Sequence, residues 1–497
     1  MILRTVLNKR LFIQEILGLA IIFVLSRVLL AIFGIQFDMS PLQWFYQYID
    51  PLLLKERLVQ SLMYLHSQPP AFNLYLGIIL KYGGMYAPLL FRTSYLLAGL
   101  FSAITIYTVM RLLNIHHLVA FFCTAFFMVS PPAFLYENWL FYTYPLTSVL
   151  IVSSLLLLLS LETRSRIYLF LFFSTLSILV LTRTLFHTVW FIAILCWIMF
   201  HHKTKKRIVM SALVPLLVLL SVHAKNVFLF DQTSLTSWFG MNLIKMTFTV
   251  PRHVLHQDIK NGRVSGIAEI KPFQRPEVYQ EFLPVHTATG IPVLDNTHKS
   301  TGAINFNYDG YRAVSAQYFT AARRLIARYP HYYCQSVIIA VYQFLRPCSD
   351  SIIFSGHNRR IVSGWVTVYE TYLLGDILKN AWQTTFTNRS GQQRPVHMNL
   401  LYLFIPALYL FGILIASKKL RSLSLSRNQM LTFRYLMFNI GYVSLAGNLF
   451  DASENMRFRF IIVPSLYVII GMFITYCIIQ YRSKTSSTQA DPHQRQD

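Results

Sequence analysis

Residues 11–38 read LFIQEILGLAIIFVLSRVLLAIFGIQFD. From Leu11 to Gly34 this run meets the roughly 20 residues that a helix needs to cross a bilayer. It follows Lys9-Arg10 and stops just short of an aspartate, Asp38. The same signature recurs at Pro88 to Leu113 and at Phe458 to Gln480, in a chain of 497 residues that is 55% hydrophobic and 13% charged. Soluble domains are less apolar and more charged than this, so the composition is that of an integral membrane protein. No small-residue cleavage site stands before Gln36, and the first span reads as an uncleaved anchor.

The net charge of +24 would suit nucleic acid if it formed one patch, but it does not. Lysine and arginine gather in short loops: Lys9-Arg10, Arg164 to Arg166, Lys203 to Arg207, Lys418 to Arg427 and Arg482 to Lys484. That distribution obeys the positive-inside rule and puts both termini in the cytoplasm. It implies membrane lipids, with anionic headgroups, as partners and no nucleic acid.

Hydropathy and basic loops together predict about ten transmembrane helices, near 11–34, 88–112, 117–135, 143–161, 166–184, 186–200, 208–224, 399–416, 431–449 and 458–480. The fold class expected is all-α and polytopic, with interfacial helices and an extracytoplasmic domain. Three parts follow: residues 1–224, a transmembrane module; 225–398, extracytoplasmic with short or interfacial helices; and 399–497, C-terminal spans with a cytoplasmic tail. Asp50 to Tyr64 has helical apolar spacing, and Ala71 to Tyr82 is too short to span, so both are expected to lie on the membrane. Of the five cysteines, Cys334 and Cys348 fall outside the spans, where pairing is open to them but spacing does not decide it.

Acids are scarce in the first half: from Ile16 to Phe230 the carboxylates are Asp38, Asp50, Glu56, Glu137 and Glu162. The predicted topology puts the first four of these on one side. Asp38, at the edge of low-dielectric surroundings, suits a general base, with helix capping or simple solvation as its structural alternative. Asp50 precedes Pro51 as an N-cap would, and it competes with Asp38 for the base. In His66-Ser67-Gln68-Pro69-Pro70 two prolines stiffen a turn from which His66 and Gln68 can donate to phosphate or sugar oxygens. Glu137 stands among Tyr136, Trp139, Phe141 and Tyr142, aromatics of the kind that anchor spans at an interface. Arg183, at the end of an apolar run, needs an anion or must snorkel. Glu454, Arg457 and Arg459 crowd the start of the last span with Asp451, the arginines being suited to phosphate.

The sequence has no HExxH, CxxC or Asp-x-Asp and no phosphate-cradling glycine loop. No cofactor is implied with certainty, and a divalent cation stays open. In order and sidedness, Asp38, the run His66 to Asn73, Glu137 and the stretch Glu454-Asn455-Met456-Arg457-Phe458-Arg459-Phe460 resemble the membrane-embedded GT-C glycosyltransferases. The nearest branch is the bacterial one akin to the protein O-mannosyltransferase and aminoarabinose transferase families. The resemblance covers roughly the first 225 residues and the last 50, and the region from Lys225 to Met398 matches nothing. It implies an enzyme of a bacterial inner membrane, with its site on the periplasmic or outer face. That enzyme would move a sugar from a polyprenyl-phosphate donor to a glycan, lipid or protein acceptor by inverting displacement. Asp38 would be the base, and His66, Arg183 and Arg457 would meet the departing phosphate. Two departures stand against the family pattern: no Asp-Glu pair follows the first helix, and Glu137-Asn138 replaces an aspartate. Other readings are a transporter or flippase of lipid-linked sugars, which would place charges at the midplane and show repeats, and a surface-polysaccharide polymerase or ligase.

Overall fold

The structure, a computed structural model, describes residues 9–201, 204–283, 287–351, 353–373, 384–387, 393–396, 400–417, 423 and 425–489. The longer helices are α1 (Lys9–Ile32), α2 (Ala71–Tyr82), α3 (Ala87–Leu112), α4 (His117–Met128), α5 (Pro131–Glu137), α6 (Thr143–Thr163) and α7 (Arg166–Thr182). They continue as α8 (Thr188–His201), α9 (Lys205–Phe230), α10 (Gly310–Arg328), α11 (Pro330–Leu345), α12 (Leu401–Ala416), α13 (Arg427–Leu449) and α14 (Met456–Gln489). Among the described residues the only sheet is an antiparallel pair, Thr384–Thr387 with Gln393–Val396.

Each of the ten predicted spans corresponds to helix, but they differ in length. Lys9–Ile32, Gly84–Leu112, Thr143–Thr163, Lys205–Phe230 and Met456–Ser483 are long and apolar enough to cross a membrane. The predicted span 117–135 is broken: α4 and α5 meet at 54°, because Pro131 and Pro132 follow α4 and cannot continue its hydrogen-bond ladder. Helices α7, α8 and α12 are shorter; at about 1.5 Å per residue the 14 residues of α8 reach only about 21 Å. The chain is thus an α-helical membrane protein in which, among the described residues, five helices are long and apolar enough to span, or six if the bent pair counts as one.

Helix α6 is the hub, packed against α3, α7, α13 and α14. It is apolar all round, as a helix enclosed by others must be, and its small hydroxyl residues let neighbours approach and bond across. Ser102 on α3 donates to Ser148 Oγ at 2.7 Å, and Ser153 Oγ and the Tyr435 hydroxyl on α13 lie 2.7 Å apart. By contrast α1 leaves Leu17, Ile21, Leu25 and Val28 exposed along one face, the face a helix on the lipid side presents.

A second core is built around α10 from Trp238, Met241, Ile244, Tyr279, Tyr311, Tyr318 and their neighbours. Gly240 makes this packing possible, since a Cβ there would lie 1.8 Å from the Ser315 carbonyl oxygen. Tyr46, from the segment after α1, packs on this core with its ring 5.6 Å from Trp238 and 5.3 Å from Phe273.

Two expectations change, and a pairing the sequence leaves open is decided. Asp50 to Tyr64 is two short helices, Pro51–Glu56 and Leu58–Met63, broken at Arg57, with Ser61 Oγ donating back to the Leu53 carbonyl. Cys334 and Cys348 do not pair: both are free, separated by most of α11, with Cys334 exposed and Cys348 buried. Trp139, Phe141 and Tyr142 are not interfacial anchors but buried side chains, at most 4% exposed.

Candidate functional site

The segment Asn138 to Tyr142 is a rigid strip. Asp38 N–H donates to the Asn138 carbonyl at 2.8 Å, and Leu140 N–H donates to the Asp38 carbonyl at 3.0 Å, a parallel bridge centred on Trp139. The Tyr48 and Tyr95 hydroxyls then donate to the carbonyls of Leu140 at 2.8 Å and Phe141 at 2.7 Å. With its backbone groups satisfied in this way, the strip is fixed. Asp38 is therefore positioned by its own main chain. Its half-buried carboxylate accepts from Ser40 N–H through Oδ1 at 2.9 Å, while Oδ2 has no donor among the described residues.

Further along the strip lie two arginines. The Arg457 guanidinium stands 5.5 Å over the Phe141 ring, and that of Arg183 stands 4.8 Å over Tyr142 and 4.7 Å over Phe458. Arg183 also donates to the Tyr142 hydroxyl; among the described residues no carboxylate lies within ion-pair distance of it, and Asp451 acts on it only through charge at longer range. Arg457 is 6% exposed. Its Nε forms an ion pair with Glu454 Oε2 at 3.3 Å without the geometry of a hydrogen bond, and among the described residues the buried Nε and Nη1 have no hydrogen-bond acceptor. Among the described residues the buried Tyr136 hydroxyl and Trp139 Nε1 likewise have no hydrogen-bond partner. Buried donors are almost always satisfied, so several unfilled ones along one aromatic wall mark a place for acceptor oxygens, and the arginine pair favours an anion there.

The other residues singled out from the sequence lie elsewhere or are engaged. Asp50 caps the helix Pro51–Glu56 by accepting from Leu52 N–H at 3.0 Å, and it accepts from Ser300 N–H at 2.6 Å and Ser300 Oγ at 2.5 Å. Beside it Lys299 donates to the Phe45 carbonyl at 2.7 Å, and burial pushes its ammonium down to about 8 against the pull of Asp50. Glu137 is buried in a two-pronged pair with Arg27. Arg459 donates to the carbonyls of Phe344 at 2.8 Å and Arg346 at 2.6 Å, so it holds the chain after α11 rather than a ligand. Glu454 accepts from Ser351 Oγ at 3.1 Å. Gln68 is half-buried. Among the described residues no three His, Cys, Asp or Glu side chains gather as metal ligands would.

His66 is a latch. Its Nε2 faces the Asn307 carbonyl at 3.0 Å and must carry the proton, so Nδ1 accepts from the Ser237 hydroxyl at 2.8 Å. Asn307 Oδ1 accepts from the N–H groups of His66 at 3.0 Å and Ser67 at 3.1 Å. Both ring nitrogens are thus spent, and no positive charge is offered to a phosphate. Burial, and then the charge of Arg312, push the imidazole down to about 3. Since the unfolded value is 6.5, the unfolded chain binds more protons between those values. The stability from neutral His66 is therefore present above 6.5 and lost as pH falls below it, at up to about 1.4 kcal/mol per pH unit. Thermal unfolding in detergent from pH 7 to 4.5 is expected to show a steeper fall in Tm for the wild type than for His66→Gln; equal slopes would refute the latch.

The arginine pair and Asp38 are visible in the sequence, whereas Trp139 has the look of an interfacial anchor there and nothing singles out Tyr136. Their signal was the density of aromatics from Tyr136 to Tyr144. Comparison of the chain with protein-family models, with curated proteins and with solved structures finds no match.

Proposed function

We propose that this chain is a glycosyltransferase that moves a sugar from a polyprenyl-phosphate donor to a hydroxyl of an extracytoplasmic glycan, lipid or protein. The observation that supports it is the Arg183 and Arg457 pair, with unfilled donors on a wall whose backbone also carries Asp38. Asp38 Oδ2 takes the proton of the acceptor hydroxyl as that oxygen attacks the anomeric carbon. The bond from that carbon to the phosphate oxygen breaks, and the departing polyprenyl phosphate gains the negative charge that the two guanidiniums offset. Attack from the face opposite the phosphate inverts the anomeric centre. In this reading the ten predicted helices traverse or dip into a bacterial inner membrane, both termini are cytoplasmic, and the site faces the periplasm.

The test uses purified protein in lipid and a panel of radiolabelled polyprenyl-phosphate sugars. Transfer or donor hydrolysis is expected for at least one donor. Arg457→Ala should raise the KM for that donor by about 10- to 100-fold, the worth of one charged hydrogen bond at about 1.5–3 kcal/mol. Arg457→Lys should recover part of this, since the charge returns without the fork. Movement of the intact lipid across the bilayer with no sugar released would replace the transferase with a flippase.

A further inference from the structure

Downstream of α11 the chain folds into short turns, Cys348–Asp350, Gly356–Ile361, Ser363–Val368 and Tyr369–Leu373, that close over the end of α5. Asn358 locks this segment to the first loop by accepting from Gln36 N–H at 3.1 Å and donating to the Gln36 carbonyl at 2.7 Å. His357 Nε2 lies 2.9 Å from the Gly34 carbonyl. Phe354 packs against the candidate site itself, its ring 4.7 Å from Tyr136 and 5.7 Å from Trp139. Between these turns and Leu135 is a partly open cavity of about 270 Å³.

Its lining is mixed in a particular way. Ser349 and Glu370 are polar and more than nine-tenths buried, and Ser349 Oγ donates to the Glu370 carboxylate. Asp350, held by Arg346, adds a second carboxylate. Arg359 supplies a guanidinium that pairs with no carboxylate among the described residues, and Thr367 and Thr371 supply hydroxyls. Leu135 and Val366 complete it with hydrocarbon. With Asp350 paired to Arg346, and Glu370 and Arg359 of opposite sign in the lining, the charges offset and the cavity suits a neutral ligand better than an ion. A ligand that meets carboxylates, a guanidinium and hydroxyls together while lying on Leu and Val must carry many neutral hydroxyls on one edge and C–H groups on a face. Sugar rings have that character. The cavity is near the lower end of the roughly 300–1,000 Å³ typical of small-molecule pockets, which suits one ring rather than a chain.

We propose that this cavity binds a single sugar ring and that the ring belongs to the acceptor. The second half rests on the transferase reading above, whereas the first rests only on the lining. The division of labour is physical: the arginine wall suits a phosphate, the cavity with its offset charges suits a neutral ring, and Leu135, next to Tyr136 of the wall, lines the cavity.

The full chain in lipid nanodiscs is titrated with neutral methyl glycosides of common hexoses and N-acetylhexosamines, followed by saturation-transfer NMR, with inorganic phosphate as competitor. At least one glycoside is expected to bind saturably, and phosphate should not displace it. Glu370→Gln should weaken binding at least tenfold. Thr367→Tyr, at an exposed position where folding is not at risk, should abolish it by filling the cavity. Absence of saturable binding by every glycoside, displacement by phosphate, or unchanged binding in a folded Thr367→Tyr protein would each overturn the proposal. If glycosides bind but no donor is turned over, the transferase reading fails and the sugar site stands.

Discussion

Asp38→Asn is expected to lower the rate of sugar transfer by about 10²- to 10⁴-fold, the usual worth of a positioned general base, with little change in the KM for donor. The substitution is nearly isosteric. The amide that replaces the carboxylate keeps an oxygen to accept from Ser40 N–H, as Asp38 does at 2.9 Å, and the bridge to Asn138 and Leu140 uses only main-chain atoms. Folding should therefore survive, and what is lost is the free Oδ2 that would take a proton. Asp50→Asn is the matched control. An asparagine there keeps one acceptor for Leu52 and Ser300 but turns an amide toward donors already in place, leaving at least one of them unsatisfied. That should cost about 1–3 kcal/mol of stability while the folded fraction retains its turnover number. Measuring initial rates per folded molecule separates the two. Unchanged transfer in Asp38→Asn, or abolished transfer in folded Asp50→Asn, would remove Asp38 from the base role.

The sequence distinguished poorly between side chains that face lipid and side chains that face protein. The run Leu11 to Gly34 and the last span are helices close to where hydropathy places them, because twenty apolar residues in a row leave a chain few alternatives. Tyr136 and Trp139 have the composition of an interfacial belt and are nonetheless core. What buries them is the turn containing Phe354 and the start of α14 at Phe460, hundreds of residues away in sequence. Asp50 caps its helix as its place before Pro51 suggests, but the further partners of His66 and Asp50, Asn307 and Ser300, are 241 and 250 residues distant. A local window sees an N-cap at Asp50 and a turn at His66, which is right as far as it goes, but it cannot see that the remaining lone pairs and ring nitrogens are already spoken for. Asp38 and the arginines were legible because an uncompensated charge at the edge of an apolar run is costly wherever the chain goes. Arg457 meets that cost in part through Glu454, 3.3 Å from its Nε, whereas Arg183 has no carboxylate within ion-pair distance among the described residues.

Glu137 shows the opposite outcome, a charge whose requirement is filled within the chain, and its removal should give the largest loss of stability. Its carboxylate accepts from Arg27 Nε at 2.9 Å and Nη2 at 2.8 Å and from the Tyr144 hydroxyl at 2.8 Å, with none of its side chain exposed. Arg27 Nη1 continues to the Met128 carbonyl at 2.9 Å. That carbonyl belongs to the last turn of α4, where the break before Pro131 leaves oxygens without helical donors; Trp365 Nε1 serves the next one, at Val129, at 2.9 Å. Gly99 admits the cluster, since a Cβ there would lie 2.4 Å from Glu137 Oε2. The pair thus fastens α1 to the bend between α4 and α5, directly before the strip that carries the candidate site. Glu137→Gln leaves a buried guanidinium uncompensated and should cost about 3–5 kcal/mol. Arg27→Met combined with Glu137→Met removes both charges and should recover most of that loss, because the attraction of a buried pair does little more than offset the desolvation of its members. Thermal unfolding in detergent reads both. A Glu137→Gln loss below about 1 kcal/mol, no more than one neutral hydrogen bond is worth, would mean that the carboxylate is free for chemistry after all. A double variant no more stable than the single would mean that its role is not the charge of Arg27.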